Sequence, residues 1–118
     1  MFADHIKKVV DNVDGGIAAL IMGLDGIAVE TYVRDGARVD INTIGMEFSF
    51  ILTQVRKAAE ILQVGAVQEV AIKAERLTLI IRMISSDYFF AVAVGPAGNF
   101  GKCRFLMRTT AHRLSAEL

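Results

Sequence analysis

GIAALIMGLDGIAVETYV, residues 16–33, decides the fold: two apolar, strand-like runs meet at Asp25-Gly26, with Leu24 and Ile27 flanking the turn. Asp-Gly between such runs is the strongest short-range hairpin signal, because a two-residue type I′ turn needs positive φ at both central positions. Pairing outward from that turn predicts Leu24 opposite Ile27, Met22 opposite Val29, Ile21 opposite Glu30 and Ala19 opposite Tyr32. The first strand is apolar on both faces, and the second is mixed.

Working outward, Phe2, Ile6, Val9, Val10 and Val13 recur at helical spacing before Asp14-Gly15-Gly16, which predicts an amphipathic helix over 2–13. Beyond the hairpin, residues 34–42 read as a polar loop. A long helix then runs from about Thr43 to Gln63, capped by Asn42 or Thr43, with Glu47 near its first turn. At 100° per residue, Ile44, Phe48, Ile51, Leu52, Val55, Ala58, Ala59 and Leu62 form its core stripe, whereas Met46, Phe50 and Ile61 lie off it. Three strands follow, about 66–74, 77–85 and 88–94, and their short connections make an antiparallel meander. GPAGNFG leads into a last helix with Asn99 as cap and Cys103, Met107, Thr110, Leu114 and Leu118 facing inward.

A central strand under helices on both sides must be apolar on both faces. LTLIIRMI, YFFAVAV and IAALIM meet that condition, whereas AVQEVAIKA alternates and IAVETYV carries Glu30 and Thr31. The two mixed strands are therefore the edges. With the hairpin and the meander, only the order 2-1-5-4-3 leaves them outermost. The expected fold class is α+β, α-β-β-α-β-β-β-α, a five-stranded antiparallel sheet with helices on both faces.

The 118 residues suit one domain, 1–118, able to bury about two-thirds of its unfolded surface. A 53% hydrophobic composition and a mean hydropathy of +0.45 are high for so small a chain and call for a partner to cover apolar surface. The third strand lacks an interior proline or glycine and is a poorly protected edge. Self-pairing of that strand, with Gln68, Val70 and Ile72 on one side, and contact between Met46, Phe50 and Ile61 of two long helices would make a homodimer. Thirteen basic and thirteen acidic residues give no net field toward nucleic acid. There is no bilayer-length apolar run and no secretory leader pattern, so a cytoplasmic protein without membrane insertion is expected. One cysteine and two histidines offer no disulfide, no metal site and no catalytic constellation, and no cofactor is expected.

Strand-GPAGNFGKC-helix superficially resembles a phosphate-binding loop. The pattern fails where it requires Gly at Pro96 and Ser or Thr at Cys103. Arg104, Arg108 and His112 line up at i, i+4 and i+8, a basic ridge that is either a solvated face or a dock for an acidic partner. The turn residues Leu24, Asp25 and Ile27 are either a tip tucked under a helix or a partner-binding knob.

The order of short helix, apolar strand, Leu-Asp-Gly-Ile turn, long helix, three-strand meander and Gly-Asn-Phe-Gly lead-in to the last helix resembles the roadblock/dynein light chain domain over essentially the whole chain. The resemblance implies a homodimer with paired third strands and adjacent long helices. Bacterial members of MglB-like and MglC-like type work beside a Ras-like GTPase in cell polarity and motility. MglB-like members act as GTPase-activating partners, and MglC-like members as adaptors that bind the MglB-like protein. The lack of long tails and the apolar turn favour the adaptor. The implied function is a non-enzymatic homodimeric adaptor that binds an MglB-like roadblock protein or the GTPase. The alternatives are a direct GTPase-activating protein and, from a different class, a small-molecule sensor.

Overall fold

The computed structural model describes residues 1–118. Its elements are α1 (Phe2–Asp11), β1 (Gly16–Gly23), β2 (Ala28–Val33), α2 (Ile41–Leu62), β3 (Glu69–Lys73), β4 (Thr78–Met83), β5 (Tyr88–Val94) and α3 (Phe100–Glu117). Every ladder is antiparallel and the strand order is β2-β1-β5-β4-β3, as the face analysis requires.

Alternation along the three central strands builds two cores. Ala19, Ile21, Ile80, Phe90, Val92 and Val94 face α1 and α3, which supply Ile6, Val9, Val10, Cys103, Met107 and Leu114. Leu20, Met22, Leu79, Ile81, Phe89 and Ala91 face α2, which supplies Ile41 and Leu52. β4 and β5 are buried on both faces except at their ends. That is why their sequences read as continuous apolar runs.

The hairpin departs from the two-residue turn. The Gly26 N–H donates to Gly23 O at 2.9 Å, so Leu24 and Asp25 are the central residues, and only Gly26 has positive φ, at 85°. This is a type I-like turn followed by a left-handed glycine, the usual three-residue hairpin loop. The Gly23 N–H donates to Ile27 O at 2.9 Å, so Gly23, and not Leu24, stands across from Ile27. The predicted pairs Ala19↔Tyr32 and Ile21↔Glu30 are present, but Met22 pairs with Ala28 because Val29 is the extra residue of a β-bulge. Asp25 closes the turn by accepting from the Ile27 N–H at 3.0 Å.

α2 begins two residues earlier than its polar pattern suggests. Asp40 is its cap, accepting from the Thr43 N–H at 3.1 Å and from the Thr43 hydroxyl at 2.7 Å. The Thr43 side chain and the Thr43 and Asn42 amides lower the Asp40 pKa, since they bind the charged carboxylate. The core stripe is also rotated. Ile41, Gly45, Ser49 and Leu52 are the buried positions, while Ile51, Ala58 and Leu62, expected inside, are exposed. The reason is close approach: a Cβ at Gly45 would lie 2.7 Å from Leu20 Cδ2 and 2.8 Å from Met22 Cε. Small residues mark the line where α2 touches β1, and a stripe weighted by large side chains misses them.

β3 is shorter than the apolar run 66–74. Beyond Glu69 only the Met83 N–H to Gln68 O bond, 3.0 Å, continues the ladder, because β4 ends at Met83. In α3, Asn99 caps as predicted, accepting from the Lys102 N–H at 3.1 Å. Cys103, Met107 and Leu114 are buried with Ala111, whereas Leu118 is exposed beyond the helix end.

Candidate interaction surfaces

The glycine loop before α3 holds no phosphate cradle. Three of its amides are engaged within the fold: Gly95 N–H donates to Gly15 O at 2.8 Å, Gly98 N–H to Gly95 O at 2.9 Å and Asn99 N–H to Asp14 O at 3.0 Å. A Cβ at Gly98 would collide with Val94 Cγ1 and lie 2.9 Å from Asp14 O. The loop is thus a tight clasp between the end of β5 and the lead-in to β1. Cys103 is fully buried, and that burial pushes its thiol up to about 12, leaving it protonated and unreactive at neutral pH. No group of three or more His, Cys, Asp or Glu side chains is arranged to hold a metal ion. No helix is long and apolar enough to cross a membrane.

The hairpin tip is divided. Leu24 is half-buried and packs on the α2-side core, its N–H held by Asp87 O at 2.9 Å in the β4–β5 turn. Ile27 on the far side of the turn is 67% exposed. Asp25 is exposed, its carboxylate folded back over Gly23. The tip therefore offers Ile27 and Asp25 as a knob standing on a Leu24 foot. A Leu24→Ala variant is expected to lose about 1–2 kcal/mol of stability, and Ile27→Ala less than about 0.5 kcal/mol, measured by chemical denaturation. Equal losses would place both side chains in the core.

α2 carries apolar surface on its outer side as well. Phe50 is 68% and Ile61 81% exposed, with Met46, Ile51, Leu62 and Val64 also largely open. Ile51, Gln54, Ala58 and Ile61 follow a 3-4-3 spacing, the period of a helix seam. Near the end of α2, a cleft of about 680 Å³ opens between Arg56, Ala59, Gln63, Val67, Met83 and Ser86. Arg56 spans its mouth, donating to Ser86 O at 2.9 Å. On the free edge β3, Val70 packs on the α2-side core, Ile72 is half-buried, and Gln68 lies exposed just before the strand.

The basic ridge of α3 is partly neutralised. The Arg104 Nε–H donates to Glu69 Oε2 at 2.9 Å, a bond that stabilises the charged guanidinium and raises its pKa. Arg108 stacks 5.8 Å from the Phe105 ring centroid and makes no ion pair, and His112 is exposed further along. Arg82, absent from the sequence reading of this region, lies beside Arg104 and Arg108 from β4, 3.8 Å from Glu69. Its sequence signal is its position directly across the ladder from Glu69.

No protein-family model and no curated sequence matches the chain. Among solved structures, MglC from Myxococcus xanthus is 42% identical across 98% of this chain and 97% of that one, with a TM-score of 0.71. A roadblock/LC7 domain from Streptomyces avermitilis superposes with a TM-score of 0.85 at 16% identity, covering 96% of this chain and 93% of that one. The gliding protein MglB from Thermus thermophilus gives 0.86 at 14%, covering 96% and 84%. The last two share the fold. With 42% identity to MglC over nearly the full length of both chains, on this strand order and helix arrangement, the chain belongs to the roadblock domain family as an MglB/MglC-like protein.

Proposed function

We propose that the chain is a non-enzymatic adaptor of a Ras-like GTPase system in bacterial cell polarity or motility, acting in the cytoplasm as one roadblock unit, residues 1–118. It forms a homodimer, and the dimer recruits an MglB-like roadblock protein, or the GTPase itself, through Asp25 and Ile27 of the tip that Leu24 seats on the core. The observation that carries this reading is the outer face of α2, where Phe50 and Ile61 stay open to water on a helix whose other side already serves the core. A helix apolar on both sides is built to be covered twice.

Met46, Phe50 and Ile61 with their two-fold mates, and the β3 edge with Gln68, Val70 and Ile72 beside it, form the dimer seam in this reading. The tip lies at the opposite end of the sheet, beside β2, which leaves it open while the seam is occupied. The similarity to MglC supports the adaptor role.

Light scattering at micromolar concentration tests the first step, and twice the 12.9 kDa chain mass is expected. A clean monomer would remove the dimer. For the second step, an immobilised chain should retain an MglB-like protein, and Asp25→Ala with Ile27→Ala should release it. In single-turnover GTP hydrolysis the chain alone should leave the rate of a Ras-like GTPase unchanged. Acceleration would make it a GTPase-activating protein.

A further inference from the structure

On the α3 side of the sheet, a cleft of about 450 Å³ is lined by Glu69, Arg82, Gly101, Arg104, Phe105 and Arg108. Three guanidinium groups face one carboxylate, a local surplus of two positive charges in a chain whose net charge is zero. Glu69 is committed to Arg104 through Oε2. Its other oxygen stands 3.8 Å from Arg82 Nη1, too far for a hydrogen bond. Arg82 is a different case from an ordinary surface arginine, because its side chain is only 21% exposed and donates no hydrogen bond. Its guanidinium nitrogens reach solvent at the cleft and are open to donate to a second carboxylate. Arg108, at the rim, also lacks an acidic partner and sits over the exposed ring of Phe105.

We infer that this cleft receives an Asp or Glu side chain from an acidic segment of a partner protein, held between Arg82 and Arg108, with a neighbouring apolar residue of that segment covering Phe105. Glu69 on Arg104 already displays the chemistry: a carboxylate oxygen taking two donors from one guanidinium fork. Glu69 also fixes Arg104, so that the incoming carboxylate meets an unpaired Arg108, an Arg82 whose one carboxylate neighbour stands 3.8 Å away, and a preset Arg104. A nucleic acid would need cations tracking successive phosphates, whereas the three arginines here gather around one carboxylate. The site lies across the sheet from the outer face of α2 and borders the β3 edge, since Glu69 is in β3 and Gln68 also lines the cleft.

The test is a titration of the ¹⁵N-labelled full chain with the peptide acetyl-Leu-Glu-Leu-Glu-Phe-amide, followed at the arginine Nε–H groups and the amides of residues 101–108. Saturable shifts confined to these signals are expected, and the peptide with both Glu replaced by Gln should give none. Arg108→Gln should weaken binding by about tenfold, and Arg82→Gln with Arg108→Gln should abolish it. Arg108 is exposed, so its replacement keeps the fold even if the double variant does not. Equal shifts from the Gln peptide, unchanged binding by Arg108→Gln, or no saturable shift at millimolar peptide would overturn the assignment. Tighter binding of a ten-residue oligothymidylate would overturn it in favour of nucleic acid. The mass of the same sample, measured in parallel, separates failure here from failure of the dimer.

Discussion

A Phe50→Glu, Ile61→Glu double variant is expected to behave as a monomer at concentrations where the parent chain is a dimer, while unfolding at nearly the parent temperature once dimer linkage is subtracted. Both side chains lie on the water-facing side of α2, 68% and 81% exposed in the single chain, so glutamate there displaces no core contact. Glutamate is also a good helix former, and α2 keeps its Asp40 cap and its Ile41-Gly45-Ser49-Leu52 contact line. In the proposed dimer the balance reverses. Covering a large aliphatic or aromatic side chain contributes about 1.5–3 kcal/mol, and enclosing an unpaired carboxylate costs several more. Two-fold symmetry counts each substitution twice, so the dimer Kd should rise at least about a thousandfold. Sedimentation equilibrium across a concentration series reads this directly. A double variant that remains dimeric would move the seam off α2, and a Phe50→Leu control should stay dimeric.

A second large effect is expected inside the fold, at Gly16. A Cβ there would stand 2.4 Å from Val10 O and 3.1 Å from Val13 O. Both are backbone atoms, Val10 in the last turn of α1 and Val13 just beyond its end, and have no rotamer by which to yield. Gly16 anchors this junction through its own N–H, which donates to Val13 O at 2.9 Å. Gly16→Ala must therefore push α1 away from β1 and open the core formed by Ile6, Val9 and Val10. The expected loss is about 3 kcal/mol, or about 10 °C in Tm for a chain of this size. Gly36→Ala is the contrast, since no atom lies within 4 Å of its Cβ position. Its φ of 82° still carries strain, so the loss should be about 1 kcal/mol. Thermal unfolding of the two variants should rank them in that order, and equal shifts would mean that the α1–β1 junction relaxes around the added methyl group.

Much of the architecture was written locally. Burial on two faces makes a strand apolar at consecutive positions, so the ranking of β1, β4 and β5 as central and β2 and β3 as edges could be read from side chains alone, and chain connectivity then left one strand order. The Asn99 cap was legible for the same reason: the hydrogen bond it makes spans three residues. The hairpin register was legible as far as Ile21↔Glu30 and no further. Whether the chain turned by two residues or three depended on Asp87, which holds the Leu24 N–H from another turn.

What the tertiary structure alone decided has a common cause. The rotation of α2 was set by how closely a helix can approach Leu20 and Met22, and Gly45 contributes to that contact by what it lacks. Hydrophobic periodicity cannot weigh a missing side chain. Whether Leu24 would be foot or knob, and which arginines would gather at Glu69, turned on contacts between distant parts of the chain; Glu69 and Arg104 are 35 residues apart. The amino-acid sequence by itself determined the elements, their order in the sheet and the family, because those follow from short-range pattern and connectivity. Which surfaces stay open to a partner was decided by the packed fold, because exposure and charge pairing exist only once the elements have docked.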